Sequence, residues 1–454
     1  MKAVALWFRS MERALAVVLA SVLVLASCIS PFAQGGGNGR SVGSGAEVAQ
    51  AAVARESAPV VSEGDLATLV AGNRAFALDM YEAIREQEGN LFFSPYSISQ
   101  ALAMTYAGAR GKTEQEMAST MHFDLPQAQL HPAFNALDQA LASHGKVGSS
   151  PAGSEVADNH PSGLELAIAN ALWAQQGMPV EQAFLDTLAR NYGSGVQLLD
   201  FAKSEGARRT INAWVSDQTK KRIDELLPAG SIDEDTAMVL TNAIYFNASW
   251  ADEFDPAATS DGPFTLLDGS QVEVPMMKNK SSSAEGAGPG YVAAELPYYG
   301  QTTSMVIVMP DPGSFAEFEA QLTPERLDAI VAALRSGMIE VTMPKFEIKG
   351  QTISLKKMLR SLGMEVPFDG SQADFSGIVA DWEQRLVIDD VLHQAFVAVD
   401  EQGTEAAAST AVTMFRQSAQ RPGSVTIDHP FLFLIRDRVT GTILFMGRVV
   451  DPRG

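Results

Sequence analysis

The chain is poor in cysteine and in positive charge. Among its 454 residues there is a single cysteine, Cys28, so no intrachain disulfide can form. Lysine and arginine number 33 against 54 aspartate and glutamate residues, which gives a formal net charge of −21. Nucleic acids and heparin are bound by clustered lysine and arginine, and the chain has no long basic run. The sequence therefore argues against both polyanions as partners.

The chain also lacks the patterns of a metal site or an enzyme. Ser41 lies in a match to the nucleophile elbow of hydrolases, but the match falls in a glycine-rich segment without the flanking strand and helix that the elbow needs. The motif "GARGKT", 108–113, resembles the end of a phosphate-binding loop, yet Tyr106 stands where the first glycine is required. We therefore expect no cofactor, no metal and no enzymatic activity. The histidines show no metal-ligand spacing; they are His122, His131, His144, His160, His393 and His429.

The amino terminus has the organisation of a secretory signal. Three basic residues precede an apolar run, 14–26, that is too short to span a bilayer comfortably. Leu25-Ala26-Ser27-Cys28 closes the run and resembles a bacterial lipobox, in which the cysteine becomes the lipidated first residue. We expect residues 1–27 to be removed, leaving a secreted lipoprotein anchored at the cell envelope or surface. The alternative is an ordinary signal peptide cut nearby, with Cys28 incidental.

The rest of the chain divides into a tether and one domain. Residues 28–62 are rich in glycine, serine and alanine, a composition that predicts a flexible tether. A polar stretch with two prolines, 143–163, predicts an exposed loop. No linker-like stretch divides residues 63–454, so we expect a single domain there and a monomeric protein.

Hydrophobic periodicity predicts a mixture of helices and strands in this domain. Apolar spacing predicts helices at 66–86, 97–106 and 211–227. Helices followed by strands without regular alternation indicate an α+β fold with large antiparallel or mixed sheets. The predicted strands are 164–174, 238–247, 305–309, 339–346, 386–399, 431–435 and 443–450.

One segment is ambiguous when read locally. The stretch "EQGTEAAASTAV", 401–412, follows a strand-like run and contains three consecutive alanines, which favour a surface helix. No apolar stripe follows that would pack such a helix. The stretch 401–421 contains no proline, so every residue in it could donate a backbone hydrogen bond within a sheet. Local propensity alone favours the helix.

Blocks along the chain resemble the serpin family. The stretch "DHPFLFLIRDRVTGTILFMGRVVDP", 428–452, has the pattern of two apolar strands joined by a turn and closely resembles the carboxyl-terminal signature of serpins. Further matching blocks cover about 65–452 in unbroken order, and the chain is identified as a member of this family. They are "NLFFSPYSISQALAMTYAGARGKTEQEM" (90–117), "INAWVSDQTKKRIDELLP" (211–228), "LTNAIYFNASWADEF" (240–254), "ELPYYGQTTSMVIVMP" (295–310), "PKFEIKGQTISLKKMLRSLGM" (344–364) and "ADFSGI" (373–378).

The resemblance implies a fold and a mechanism. Serpins have three β-sheets, about eight or nine helices and an exposed reactive-centre loop, which would lie at about 401–425 here. A target protease cleaves the loop, forms an acyl-enzyme and is distorted when the cleaved loop inserts as a new strand in the central sheet. We expect an irreversible suicide-substrate inhibitor of serine endopeptidases, or of papain-like cysteine proteases. The alternative is a non-inhibitory serpin that acts as a substrate or a binding protein.

The ambiguous segment corresponds to the hinge of this loop. In an inserted strand Thr404, Ala406 and Ala408 would face the core, and all three are small. Glu405 and Ala407 would lie on the opposite face, in solvent. Small hinge residues resemble those of inhibitory members, whereas non-inhibitory members tend to carry bulky, charged or proline residues. The hinge residues are Glu401, Gly403, Thr404, Glu405, Ala406, Ala407 and Ala408.

Four polar residues match a cluster that the family places beneath the opening of the sheet. They are Ser94, Ser97, Asn242 and His393. Buried polar groups need partners in each state, so such a cluster can hold the sheet closed and pair again after insertion. Taken alone, His393 could equally be a core histidine with a purely structural role.

The predicted position of the reactive bond depends on the end of the loop from which its residues are counted. The usual family spacing from the hinge places the bond after Gln417, and a loop one residue shorter places it after Arg416. Counting back from the carboxyl-terminal side ends near Ala419, because the loop is slightly long. We predict the bond between Arg416 and Gln417, with the bond between Gln417 and Ser418 as the alternative.

An arginine at this position predicts a trypsin-like target. Arg416 fits a primary pocket that carries a buried carboxylate, whereas few proteases prefer glutamine. Phe415, for a chymotrypsin-like target, and Arg421 are the remaining alternatives.

Overall fold

The computed structural model describes residues 46–144, 165–380, 385–404 and 423–454. All of them belong to one structural unit, residues 43–454. Several predicted features lie outside the described residues: the lipidation site Cys28, the hinge residues Glu405, Ala406, Ala407 and Ala408, and the reactive-bond candidates Arg416, Gln417 and Ser418.

Nine α-helices lie in the described ranges. Serine caps the first two: Ser62 and Ser94 precede them and accept hydrogen bonds from the backbone amides of Asp65 and Ser97. The helices are α1 (Glu63–Ile84), α2 (Pro95–Tyr106), α3 (Gly111–Met121), α4 (Gln127–His144), α5 (Gln182–Tyr192), α6 (Ser204–Gln218), α7 (Phe315–Ala320), α8 (Pro324–Ala333) and α9 (Lys356–Ser361).

The third predicted helix, 211–227, is wrong in its second half. Helix α6 begins earlier and ends at Gln218. Lys220 and Lys221 adopt positive φ angles of 52° and 62°, which an α-helix cannot accommodate. Lysine favours helix, but these two residues form a turn. Beyond the turn, Ile223 and Leu227 still pack in the same apolar cluster as α6.

The described strands form two hydrogen-bonded sheets. The first is eight-stranded in the order β1-β4-β3-β5-β14-β13-β11, with β12 paired to β13. Its strands are β1 (Glu47–Ala49), β3 (Glu165–Gln175), β4 (Val196–Leu199), β5 (Met238–Ser249), β11 (Phe346–Lys349), β12 (Ile353–Ser354), β13 (Asp390–Val399) and β14 (Gly403–Thr404).

The second sheet is nine-stranded in the order β15-β10-β7-β8-β9-β16-β17-β2, with β6 paired to β7. The predicted hairpin at the carboxyl terminus is β16 against β17, paired antiparallel. The strands are β2 (Leu91–Phe93), β6 (Ser260–Thr265), β7 (Gln271–Gly288), β8 (Tyr291–Pro297), β9 (Thr303–Pro310), β10 (Arg335–Pro344), β15 (Gly423–Thr426), β16 (Phe431–Asp437) and β17 (Ile443–Val449).

The α+β architecture is confirmed. The described strands form two hydrogen-bonded sheets where the resemblance implies three. Strand β7 is 18 residues long and pairs with β6 over 271–276, with β10 over 276–285 and with β8 over 284–288. Two of the expected sheets are therefore continuous through one strand.

The central strand of the first sheet is buried on both faces. Val239 and Ala243 of β5 pack in a cluster with Trp173 and the apolar face of α6. Leu240 and Ile244, which point the other way, join the main core. This double burial explains why β5 is a nearly continuous apolar run rather than an alternating one.

The predicted tether is wrong over residues 46–62. Strand β1 pairs antiparallel with β4, and Arg55 forms an ion pair with Asp138 of α4. Ser62 is the cap of α1. Composition does not reveal this packing, because pairing with a sheet edge uses backbone groups and needs few apolar side chains.

Candidate functional site in the central sheet

The site lies where β13 turns back on itself. After Val399 the chain makes a tight turn, in which the Asp400 carboxylate accepts hydrogen bonds from the amides of Gln402 and Gly403, at 2.9 and 3.2 Å. Gly403 and Thr404 form β14, which lies between β5 and β13. Thr404 pairs with Val399 on one side and with Ala248 on the other.

The boundary between β5 and β13 is closed at one end and occupied at the other. The two strands pair directly and in parallel from Asp390 opposite Val239 to Phe396 opposite Tyr245. Beyond Phe396 they no longer pair with each other, and β14 fills the space. The first sheet is thus already parted at the end where the predicted hinge begins.

Thr404 faces inward, the orientation expected for it in an inserted strand. Its side chain is fully buried, and its Oγ1 lies 2.7 Å from the hydroxyl of Tyr298. The Tyr298 ring stacks on Trp250 with 4.6 Å between centroids, and the Trp250 indole donates to the Asp400 carbonyl. Burial raises the pKa of Tyr298, so its hydroxyl stays protonated.

Gly403 is needed for a reason that the sequence did not reveal. A Cβ on this residue would lie 2.1 Å from the Ala248 carbonyl oxygen and 2.7 Å from the Ser249 Cα. The φ of Gly403 is not among the positive values of the chain, so a left-handed backbone is not what requires glycine here. The close approach of β14 to β5 is what requires the missing side chain.

Glu401 anchors the base of the hinge. Its buried carboxylate lies 2.6 Å from Lys345 Nζ and accepts a hydrogen bond of 2.7 Å from the Thr259 hydroxyl. Burial alone would raise the pKa of Glu401, but the bonds from Lys345 and Thr259 outweigh it and leave the pKa below its ordinary value. Burial raises the pKa of the neighbouring Asp400.

The four residues of the predicted polar cluster lie together, and all four are buried. The Ser94 amide donates to His393 Nε2 at 3.2 Å, so the ring proton is on Nδ1, which donates to Asn242 Oδ1 at 2.5 Å. Asn242 in turn donates to the Ser97 hydroxyl at 2.6 Å. Burial lowers the pKa of His393 to about 3, so the cluster is neutral at ordinary pH.

The cluster spans the boundary that would have to open. Asn242 lies on β5 and His393 on β13, and the two are direct neighbours in the parallel register. Ser94 caps α2 and Ser97 lies in its first turn, beneath the sheet. Separating the two strands therefore breaks a buried hydrogen bond as well as the backbone ladder.

Sequence reasoning missed several members of the site. Asn170 of β3 accepts from Asn242 and donates to the Ser97 carbonyl and to Gln100 Oε1. Its one signal is a polar residue inside an otherwise apolar strand. Lys345, Thr259, Tyr298 and Trp250 had no local signal, because each reaches the hinge from a distant part of the chain.

Within the described ranges, no group of three or more His, Cys, Asp or Glu side chains is placed to hold a metal ion. Over the same residues, no helix has both the length and the apolar character needed to cross a membrane.

A family model described as serpin (serine protease inhibitor) matches residues 71–452. A serpin-like protein of Methanosarcina acetivorans is 34% identical over 394 residues, which are 86% of this chain and 87% of that protein. The leukocyte elastase inhibitor of Homo sapiens is 36% identical over 400 residues, which are 85% of this chain and 99% of that protein.

Solved structures agree with this match. The thermophilic serpin tengpin in its native state has a TM-score of 0.76 and 25% identity, covering 89% of this chain and 99% of that chain. Thyroxine-binding globulin in complex with thyroxine has a TM-score of 0.72 and 28% identity, covering 86% of this chain and 100% of that chain.

Proposed function

Because the chain belongs to the serpin family, we propose that it is an irreversible suicide-substrate inhibitor of serine endopeptidases. The observation that carries the proposal is the position of β14. Gly403 and Thr404 already occupy a strand position between β5 and β13, and Thr404 points into the core. The residues that follow, 405–408, are Glu-Ala-Ala-Ala, which could extend this strand with small side chains on its inner face.

The chemistry then follows from cleavage near the end of the loop. The protease serine attacks the carbonyl carbon of Arg416, an ester forms to the enzyme, and the bond to Gln417 breaks, leaving Gln417 as a new amino terminus. The freed segment 405–416 can then enter between β5 and β13 as a full strand. Each inserted residue gains backbone hydrogen bonds from two neighbours, so insertion carries the attached protease away from the site of attack.

The arginine selects the target. We propose a trypsin-like serine protease, or a papain-like cysteine protease that accepts arginine, with cleavage between Arg416 and Gln417. The guanidinium would pair with a carboxylate in the primary pocket of the protease. The bond between Gln417 and Ser418 is the alternative.

The test is incubation of the full-length protein with trypsin, followed by a denaturing gel and mass spectrometry of the loop. An inhibitor gives a covalent complex with the protease and a released fragment that begins at Gln417. Clean cleavage without a complex would contradict the proposal and support a non-inhibitory member that acts as a substrate or binding protein. A fragment that begins at Ser418 would move the reactive bond by one residue.

We also propose that the mature protein is a secreted lipoprotein anchored through Cys28. The support is the apolar run before the cysteine and the Leu-Ala-Ser that adjoins it. Labelling with a radioactive fatty acid in a bacterial host should mark the parent protein and leave Cys28→Ala unlabelled. Equal release of the two proteins into the medium would contradict anchoring.

A further inference from the structure

The segment that precedes α1 is attached to the edge of the first sheet. Strand β1 pairs antiparallel with β4, with Glu47 opposite Leu198 and Ala49 opposite Val196. The approach is close at the end of β1, because a Cβ on Gly195 would lie 2.5 Å from the Ala49 carbonyl oxygen. β1 therefore moves with β4.

The same segment is bound to the helices six residues later. The guanidinium of Arg55 donates from Nε to Asn135 Oδ1 at 2.8 Å and pairs with Asp138 Oδ2 at 2.6 Å, both on α4. Glu56 adds two backbone bonds, from its amide to the Arg190 carbonyl and from Asn135 Nδ2 to its own carbonyl. Only residues 50–54 separate the two attachments.

Asp138 also connects this attachment to the polar cluster. Its Oδ1 accepts from the Tyr96 hydroxyl and from Gln100 Nε2, both at a long 3.4 Å. Gln100 Oε1 accepts from Asn170 Nδ2 at 3.0 Å, and Asn170 Oδ1 accepts from Asn242. A continuous chain of polar contacts thus runs from Arg55 to the bond that crosses the β5–β13 boundary.

Opening of the sheet would act on this segment through its two attachments, one on β4 and one on α4. β5 can leave β13 only together with the strands hydrogen-bonded to it, namely β3, then β4, then β1. α4 is not part of that ladder and packs against α1 and α5. If the strands shift relative to α4 when a strand enters, the distance between the two attachments changes, because one lies on β4 and the other on α4.

We propose that residues 46–61 are a strap that joins the moving strands to the helical layer and slows the opening of the sheet. The strap rests on the proposed function, because it sets the rate of the insertion on which inhibition depends. Its two attachments can be broken separately: Arg55→Ala removes the bond to α4, and Gly195→Ala pushes β1 away from β4.

The chain offers a matched control for each change. Arg74 forms an ion pair with Asp328 at 2.5 Å, and its side chain is 31% exposed against 32% for Arg55, so Arg74→Ala removes a similar contact elsewhere. Gly337 lies in β10, and no atom lies within 4 Å of the Cβ that Gly337→Ala would add.

The experiment measures how fast a synthetic peptide of residues 404–416 enters the intact full-length protein, on native gels, with urea unfolding as the measure of stability. Both strap variants should take up the peptide about fivefold faster than the parent, and both controls should stay within about twofold of it. Strap variants that match their controls, or that speed uptake only in proportion to lost stability, would overturn the strap. If neither parent nor variants take up peptide, sheet opening itself fails, and the proposed function falls with it.

Discussion

The two ends of the β5–β13 boundary are built from different chemistry. At the hinge end, Glu401 forms an ion pair with Lys345, and the small side chain of Thr404 contacts Tyr298, whose ring stacks on a tryptophan. At the other end they are neutral and buried, with His393 bonded to Asn242 across the two strands. At the hinge end β5 and β13 have no direct pairing to break, whereas separating them at the other end breaks the backbone ladder and a buried hydrogen bond.

The largest effect should come from placing a charge at the hinge end. Thr404→Arg would put a guanidinium where the wild-type side chain is fully buried, at a cost of several kcal/mol, and so block extension of β14. We expect trypsin to cleave this variant without forming a covalent complex on a denaturing gel.

The matched control is Glu405→Arg, since that position is predicted to stay in solvent in the inserted strand. It should still form the complex. If Thr404→Arg inhibits as well as the parent, the hinge end does not work as described.

The second-largest effect should come from the end of the boundary where His393 bonds to Asn242. His393→Ala removes the bond to Asn242 and leaves the Ser94 amide without its partner, which should lower the free energy of unfolding by about 3 kcal/mol. Because one of the lost bonds crosses the boundary, the variant should also take up the loop peptide faster than the parent.

His131→Ala is the control, because His131 is also buried but packs against Tyr192 of α5, away from the boundary. It should lose stability without faster peptide uptake. Equal acceleration in both variants would mean that general destabilisation, rather than the cluster, governs opening.

The smallest predicted effect is on the pH dependence of the free energy of unfolding, to which His393 and Glu401 contribute in different pH ranges. Burial lowers the pKa of His393 from 6.5 to about 3, so between these values the unfolded chain binds a proton that the folded chain does not. The stability is therefore complete above pH 6.5 and falls as the pH drops, by about 2 kcal/mol at pH 5. The Glu401 pair behaves differently: its pKa is lowered from 4.5, so its contribution is lost only below that pH.

Urea unfolding at pH 7.5 and pH 5 measures this difference. Burial lowers the pKa of His131 to about 4, so it adds a similar loss in the parent. His393→Ala should abolish about half of the parent's loss, because the His131 contribution remains. A parent whose stability is the same at both pH values would contradict the neutral state of the buried histidines.

Much of the fold could be predicted because its signals are local. The apolar run of β5 and the turn between β16 and β17 are visible in short windows, and the strands form there. The end of helix α6 was predicted too late in the chain, because lysine favours helix whereas Lys220 and Lys221 form a turn in the folded protein. The polar cluster came from resemblance rather than from local pattern, since Ser94 and His393 are 299 positions apart.

The sequence by itself determined which segments are apolar, which are small and proline-free, and where the charges lie. Those properties follow from composition and spacing over a few residues, and they specify the α+β class, whereas the hinge is implied by the resemblance to serpins. Only the tertiary structure decided that β14 already lies between β5 and β13, that the close approach of the Ala248 carbonyl requires glycine at position 403, and that Glu47–Ala49 pair with β4. Each of these depends on backbone groups from distant parts of the chain meeting at hydrogen-bond distance, and residue types along a window do not encode such meetings.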